Sequence, residues 1–485
     1  MKNLKNAIWM FAVMLSLSLS ALLCGCQQTP KNKEAGNNPD GGDISGTQSQ
    51  ISAKDSIPVT DFGGREFNFF MCDVFFTHRD IIAEETTGEA LNDAKYKRFK
   101  TIEDRYNIKI DLLYMGDPGE TYNYLNKSIL TDDVKYDLTH VHASSIVQVV
   151  SAGILTDLKN LAYPGFADPW WNKNLMESMT VKNVLLLSPS AIELPYSSAV
   201  CFNKQMVQDN GMENPYELVK SGDWTMDKFY ELCSMVSKDL NGDGNRDKDD
   251  RYGFTTQNSW MLKSYLYAGN HTILVKDEND VPQLNTDYPH LSQIVEKMMY
   301  LFLQKNVSYM YDSSNETDFP ISMSSGRIFA IGLHLAEVAY LRNSDVDYGI
   351  VPLPKLDKAQ KNYTGISWGG FFGVPKNASD PQMSGLIFEA LSAESYYSIF
   401  PIFKEQQLSI KFTRDEESIE MLDLIYDNMI YDMAPNYSTL DPYTNILYEL
   451  YQKKSTDIMS HMEKNEQKLQ SALDKIIESY DVYAG

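Results

Sequence analysis

Basic residues are in short supply in this sequence. Against 66 Asp and Glu there are 43 Lys and Arg, a formal net charge of -23 over 485 residues. That balance argues against a nucleic-acid partner, whose phosphates need a basic footprint. Cysteine is scarce as well. Beyond Cys24 and Cys26 only Cys72, Cys201 and Cys233 remain. They have no C-x-x-C spacing and form no even framework, so structural disulfides and thiolate metal sites drop out and the three read as small buried apolar residues. No apolar run is long enough to span a bilayer. The nearest, residues 7–23, is short, broken by serines and followed by a polar segment without a basic stop-transfer cluster. Several enzyme signatures are missing too: there is no H-E-x-x-H, G-x-x-x-x-G-K-[ST] or G-x-G-x-x-G. Paired carboxylates of the glycosidase kind leave no local trace, so a surface carbohydrate-active enzyme stays open as an alternative.

What is present begins with an address. Lys2 and Lys5, the apolar stretch and Leu23-Cys24-Gly25-Cys26 make an export signal. The last four residues resemble a bacterial lipobox. That resemblance implies cleavage behind Gly25 and a lipid on Cys26, because Cys24 would follow the bulky Leu23. Residues 1–25 are then a signal peptide. Residues 26–60, rich in Gly, Asn, Gln and Pro, have the composition of a flexible tether. The expected location is the extracytoplasmic face of the cell membrane. Beyond the tether the chain is long enough for two or three domains or one two-lobed unit. Its aromatic share of 12%, with 30 Tyr and 6 Trp, exceeds what a core requires and predicts rings on display in a site.

The most ordered stretch is DLNGDGNRDKDDRYGF, residues 239–254. Side-chain oxygens fall at Asp239, Asn241 and Asp243, Gly244 takes the sharp-turn position, the Asn245 carbonyl and Asp247 follow, and Asp250 closes. This is the spacing of a calcium loop, since carboxylates brought this close repel until a cation sits between them. Three features depart from the motif: Asp250 stands where Glu is usual, Arg246 where an apolar residue is usual, and a strand follows in place of a helix. A solvated Asp/Asn/Gly turn that binds nothing is the competing reading. If calcium binds, its expected role is structural.

Along the chain, EFNFFMCDVFF from residue 66 has strand character. Residues 92–107 place Ala94, Phe99, Ile102 and Tyr106 on one helical face, IKIDLLYM follows as a strand, and residues 136–142 are a third strand. This βαβ logic implies largely parallel sheets, with a ligand site beyond the carboxyl ends of their strands. Thr225 can cap a helix carrying Phe229, Leu232, Cys233 and Val236 on one face, and residues 287–305, 380–393 and most of 447–480 also read as helical.

YDLTHVHASSIVQVVSAGILTDL, residues 136–158, followed in order by AVCFNK, GDWTMDKF, GRIFAIGL, DYGIVPLPK, GFFGVPK and RDEESIEMLDLI, resembles the extracellular family 1 solute-binding proteins of carbohydrate-importing ABC transporters. The resemblance covers essentially the whole mature chain. It implies an α/β, two-lobed, type II periplasmic-binding-protein-like fold with mixed, mostly parallel sheets and an interlobe cleft. Lobe one would be residues 61–195 plus 333–392, and lobe two 196–332 plus 393–485. It also implies a monomer that captures an oligosaccharide or related polyol by hinge closure and delivers it to membrane permease subunits, without catalysis. A sensor or adhesion lipoprotein lacking a transporter is the other alternative.

Sugars bind against flat apolar faces flanked by short polar groups. Trp368 and Trp260 are the leading candidates. Tyr196 and Ser197 at the first crossing, His140, His142 and Ser144 after the third strand, and His334 and Glu337 at the second crossing join them. Core packing competes for each ring. Trp170 and Trp171 read as structural loop anchors before cleft-lining rings, and His140-x-His142 as hydrogen-bonding or packing groups before a zinc site.

Overall fold

Phe67, Phe69, Phe70 and Met71 are all fully buried, the mark of a strand covered on both faces. The computed structural model describes residues 55–74, 77–132, 135–194, 196–257, 259–311, 325–343, 345–367, 369–408 and 416–483. The signal, the lipobox with Cys26 and most of the tether lie outside them. In chain order the strands are β1 (Arg65–Met71), β2 (Ile108–Tyr114), β3 (Leu138–Val141), β4 (Ser198–Asn203), β5 (Tyr252–Gln257), β6 (Leu274–Lys276) and β7 (Pro282–Leu284). They continue with β8 (Ser308–Tyr311), β9 (Ile328–His334), β10 (Tyr348–Pro352), β11 (Gly365–Ile366), β12 (Phe371–Gly373) and β13 (Met429–Ile430).

Two sheets carry the architecture, one ordered β12-β3-β1-β2 and the other β10-β4-β9-β5-β8. β1 is parallel to both β2 and β3, and β5 to both β8 and β9, while β12, β4 and β10 pair antiparallel. The sheets are therefore mixed. The chain leaves the first sheet ahead of β4 and returns at β12. Between them, β11 runs parallel to β13, with Gly365 opposite Met429 and Ile366 opposite Ile430.

The sequence division put residues 333–392 in lobe one. In the structure β10 at 348–352 still belongs to the second sheet, so the return comes later, between β10 and β12. The reason is edge cover: β10 pairs along the whole of β4 from Tyr348 opposite Asn203 to Pro352 opposite Ala199, satisfying backbone groups that an edge strand would expose. Its five residues are all buried.

Helices form where their caps are. The Thr225 side chain accepts from Lys228 N at 3.3 Å and opens the helix Met226–Val236, and Phe229, Leu232, Cys233 and Val236 face inward. Asp380 likewise opens Pro381–Glu394, accepting from Met383 N at 3.1 Å. Asp287 caps Tyr288–Phe302, and the C-terminal region is largely the helices Ile446–Lys453 and Ile458–Ser479. Cys72, Cys201 and Cys233 are buried free thiols. Among the described residues no helix is long and apolar enough to cross a membrane.

Candidate functional site

The strand ends of the first sheet and the crossing into the second meet at a string of polar side chains. His140 lies next to the end of β3 and is buried. Its Nε2 lies 3.5 Å from Glu193 Oε2, close enough for charge attraction, although neither ring nitrogen has a well-aligned hydrogen bond. Burial works against the imidazolium, but the Glu193 carboxylate outweighs it and raises the His140 pKa to about 9. Glu193 responds in the opposite sense: burial pushes its carboxyl up, and His140 with the Gly370 N–H brings it below the usual value. That N–H donates to Glu193 Oε2 at 2.7 Å. A Cβ on Gly370 would stand 1.9 Å from His140 Nε2, so only glycine lets the ring and the backbone approach. His142 sits one residue past β3, where its Nδ1 lies 3.0 Å from Ser144 Oγ. Burial and the charge on His140 lower its pKa. His140 and His142 thus serve separate partners, one the Glu193 carboxylate and the other Ser144.

The string continues through Asp80 and Arg79, paired at 2.5 Å. Burial raises the Asp80 carboxyl against the pull of Arg79, and the negative charge of Glu193 raises it further. Arg79 lies over the Tyr196 ring, 5.1 Å from its centroid, and that ring is 5.4 Å from His334. Glu337 accepts from the His334 backbone N at 2.8 Å, while His334 Nδ1 is 3.2 Å from Ser198 Oγ. Burial, then Arg79, lowers the His334 pKa to about 4, so near neutrality this imidazole is uncharged and offers one donor and one acceptor. Tyr196, His334 and Glu337 are therefore together. Ser197 points elsewhere: fully buried, it donates to Ile366 O at 3.2 Å and ties the two crossings.

Glu193, Gly370 and the neighbouring Phe371 also border a cavity of about 420 Å³, lined as well by Tyr396, Phe400, Tyr426 and Tyr431. It is lined from both sides of the crossings. Trp170 and Trp171 contribute to its wall but are anchored, both Nε1–H groups donating to the buried Glu389 Oε1 at 2.5 and 2.9 Å. Trp368 lies outside the described residues. Trp260 opens the helix Trp260–Ala268, and its ring lies outside them too.

No protein-family model and no curated protein matches the chain. Solved structures do. A cyclic α-maltosyl-1,6-maltose-binding protein from Arthrobacter globiformis superposes with a TM-score of 0.58 at 13% identity, covering 85% of this chain and 99% of that one. A sugar transporter from Rhizobium etli in an open conformation gives 0.58 at 15% identity, over 87% and 99%. An extracellular solute-binding protein from Staphylococcus aureus in complex with maltose gives 0.56 at 12%, over 87% and 99%. The chain shares the two-lobed α/β fold of these structures.

Within that fold, Arg79, Asp80, Glu193 and Gly370 are the residues that sequence reasoning missed. Glu193 had a usable signal, a lone acid among apolar residues just before the first crossing. Arg79 and Asp80 had none, because what brings their pair to the site is Tyr196 and Glu193, more than a hundred residues away.

The corner at 239–250 turns as expected at Gly244, whose φ is +81°. Its acids are occupied by their own loop: Asp239 accepts from Gly242 N and Gly244 N at 2.7 and 2.9 Å, and Asp250 from Leu240 N and Asp247 N at 2.9 and 3.2 Å. Those N–H groups, that of Leu240 first, lower the Asp250 pKa. Among the described residues no three of His, Cys, Asp and Glu converge as a metal site. Arg246 donates to Arg251 O and Asn306 O at 2.7 and 2.9 Å, and its Nη1 lies 3.9 Å from Asp250 Oδ2.

Proposed function

We propose that this protein is the solute-binding lipoprotein of an ABC importer and captures an oligosaccharide or related polyol between its lobes. The observation that carries the reading is the aromatic cavity at the crossings, bordered by Glu193 and Gly370, in a fold whose solved neighbours include sugar-binding proteins. Rings present flat faces to pyranoses, and the bordering Glu193 offers a hydroxyl partner that orients them, with Tyr196 and His334 farther along the polar string. Closure about the paired β11 and β13 would bury the ligand and create the face that permease subunits read. The lipobox supports anchoring through Cys26, with the tether holding a monomer off the membrane.

The test is thermal unfolding of the purified protein against a glycan panel, because a ligand of the folded state raises the melting point by mass action. A rise with one class of oligosaccharide is expected. No rise with any carbohydrate would remove the sugar assignment, and release of products from polymeric glycans would replace the binding reading with an enzymatic one. For the 239–250 corner we propose a structural calcium ion on the register of Asp239, Asn241, Asp243, Asn245, Asp247 and Asp250. Its binding would require acids that now accept loop N–H groups to turn toward the ion.

A further inference from the structure

Arg98, on the helix Ala90–Tyr106, is completely buried. Its Nη1 donates to Ile192 O at 2.8 Å and to Ser395 Oγ at 3.0 Å, and its Nη2 donates to Ile81 O at 2.5 Å. Among the described residues it makes no ion pair. Burial works against its charge, with Glu394 giving some support from a distance. A buried cation without a close counter-ion is costly to fold, and an apolar side chain of similar length would avoid that cost. What such a side chain lacks is a rigid planar fork of donors able to hold several oxygens at once.

The three acceptors have one thing in common. Ile81 follows Asp80, Ile192 precedes Glu193, and Ser395 precedes Tyr396. Glu193 and Tyr396 line the cavity and Asp80 belongs to the polar string around Glu193, and the three segments are far apart in sequence. Lys95, one turn earlier on the same helix, adds to the grip by donating to Arg79 O at 2.8 Å and to His78 O at 3.2 Å.

We propose that Arg98 is the positioning residue of the cleft: its guanidinium ties three segments together at their backbones and hydroxyl, and so sets where Asp80, Glu193 and Tyr396 stand. The inference rests on the cleft reading above, but its test needs no sugar. His140 reports where Glu193 is, since burial acts to lower its pKa and the groups that act on it are Glu193 first, the Cys72 thiol and, through mutual repulsion, His142. With seven histidines in the chain, NMR of protein carrying ¹³C-labelled histidine resolves its titration, and a His140→Gln sample assigns the signal.

In the unsubstituted protein His140 should titrate near 9. Arg98→Met should fold, as judged by circular dichroism and gel filtration, with the His140 midpoint falling to 6.5 or below, because Glu193 is no longer held against it. Arg98→Lys, with one donor head in place of the fork, should fall between. A folded Arg98→Met or Arg98→Lys protein with an unmoved His140 midpoint would overturn the proposal. So would failure of both variants to fold, which would make Arg98 a residue of the fold and not of the site. A shifted His140 alongside a glycan panel without a hit would leave Arg98 in its role and remove only the sugar reading.

Discussion

Glu193 Oε2 lies 3.5 Å from His140 Nε2, and this buried pair couples the strand ends of the first sheet to the segment that crosses to the second. Its pH dependence has a definite sign. The raised His140 pKa contributes stability that is complete below 6.5 and lost as pH climbs through about 9. The lowered Glu193 pKa contributes stability that is complete above 4.5 and lost as pH falls below it. Denaturant unfolding should therefore show this pair's contribution at its fullest between pH 4.5 and 6.5 and a fall from it on the alkaline side of no more than about 3 kcal/mol. Glu193→Gln should abolish the part of that fall due to His140. An unchanged alkaline slope in the variant would show that the pair does not exist as described.

Gly370→Ala tests the close approach beside that pair. With a Cβ 1.9 Å from His140 Nε2, ring or backbone has to move, at a cost of roughly 1–3 kcal/mol, and the Gly370 N–H should leave Glu193. A midpoint in urea matching the parent protein would mean the segment is looser than described.

Tyr196→Ala removes the ring between Arg79 and His334. Affinity for whichever glycan raises the melting point should fall about tenfold, equivalent to about 1.4 kcal/mol, with less effect on the unliganded melting point. Equal affinity in the variant, measured by titration calorimetry, would place the sugar elsewhere.

Calcium is checked with Asp243→Ala. Adding calcium to chelator-treated parent protein should raise its melting point, the variant should lose that rise, and both should bind the glycan alike. A parent melting point indifferent to calcium would leave the corner as a turn held by its own backbone N–H groups, and loss of glycan affinity in the folded variant would give it a role beyond structure.

Much of the fold was legible locally. Thr225, Asp287 and Asp380 each open a helix that the sequence predicts, because a cap bonds to a backbone two or three residues away and its signal is confined to one turn. The site was legible only in part. Tyr196, His334 and Glu337 were named and do come together, while Ser197 was named and is spent on Ile366 O, a partner that no pattern near residue 197 announces.

Sequence alone determined the acidic, cysteine-poor composition, the capped helices, the three buried thiols and the sharp turn at Gly244. Each depends on residue type or on neighbours within a turn. Tertiary structure alone decided that β10 completes the second sheet, that Arg98 reaches Ile81, Ile192 and Ser395, and that Glu193 is held between His140 and Gly370. These are contacts that span from 17 to 297 residues of chain. Burial in a low-dielectric interior gives them their force, and which groups are buried together is set by the packing of the whole chain.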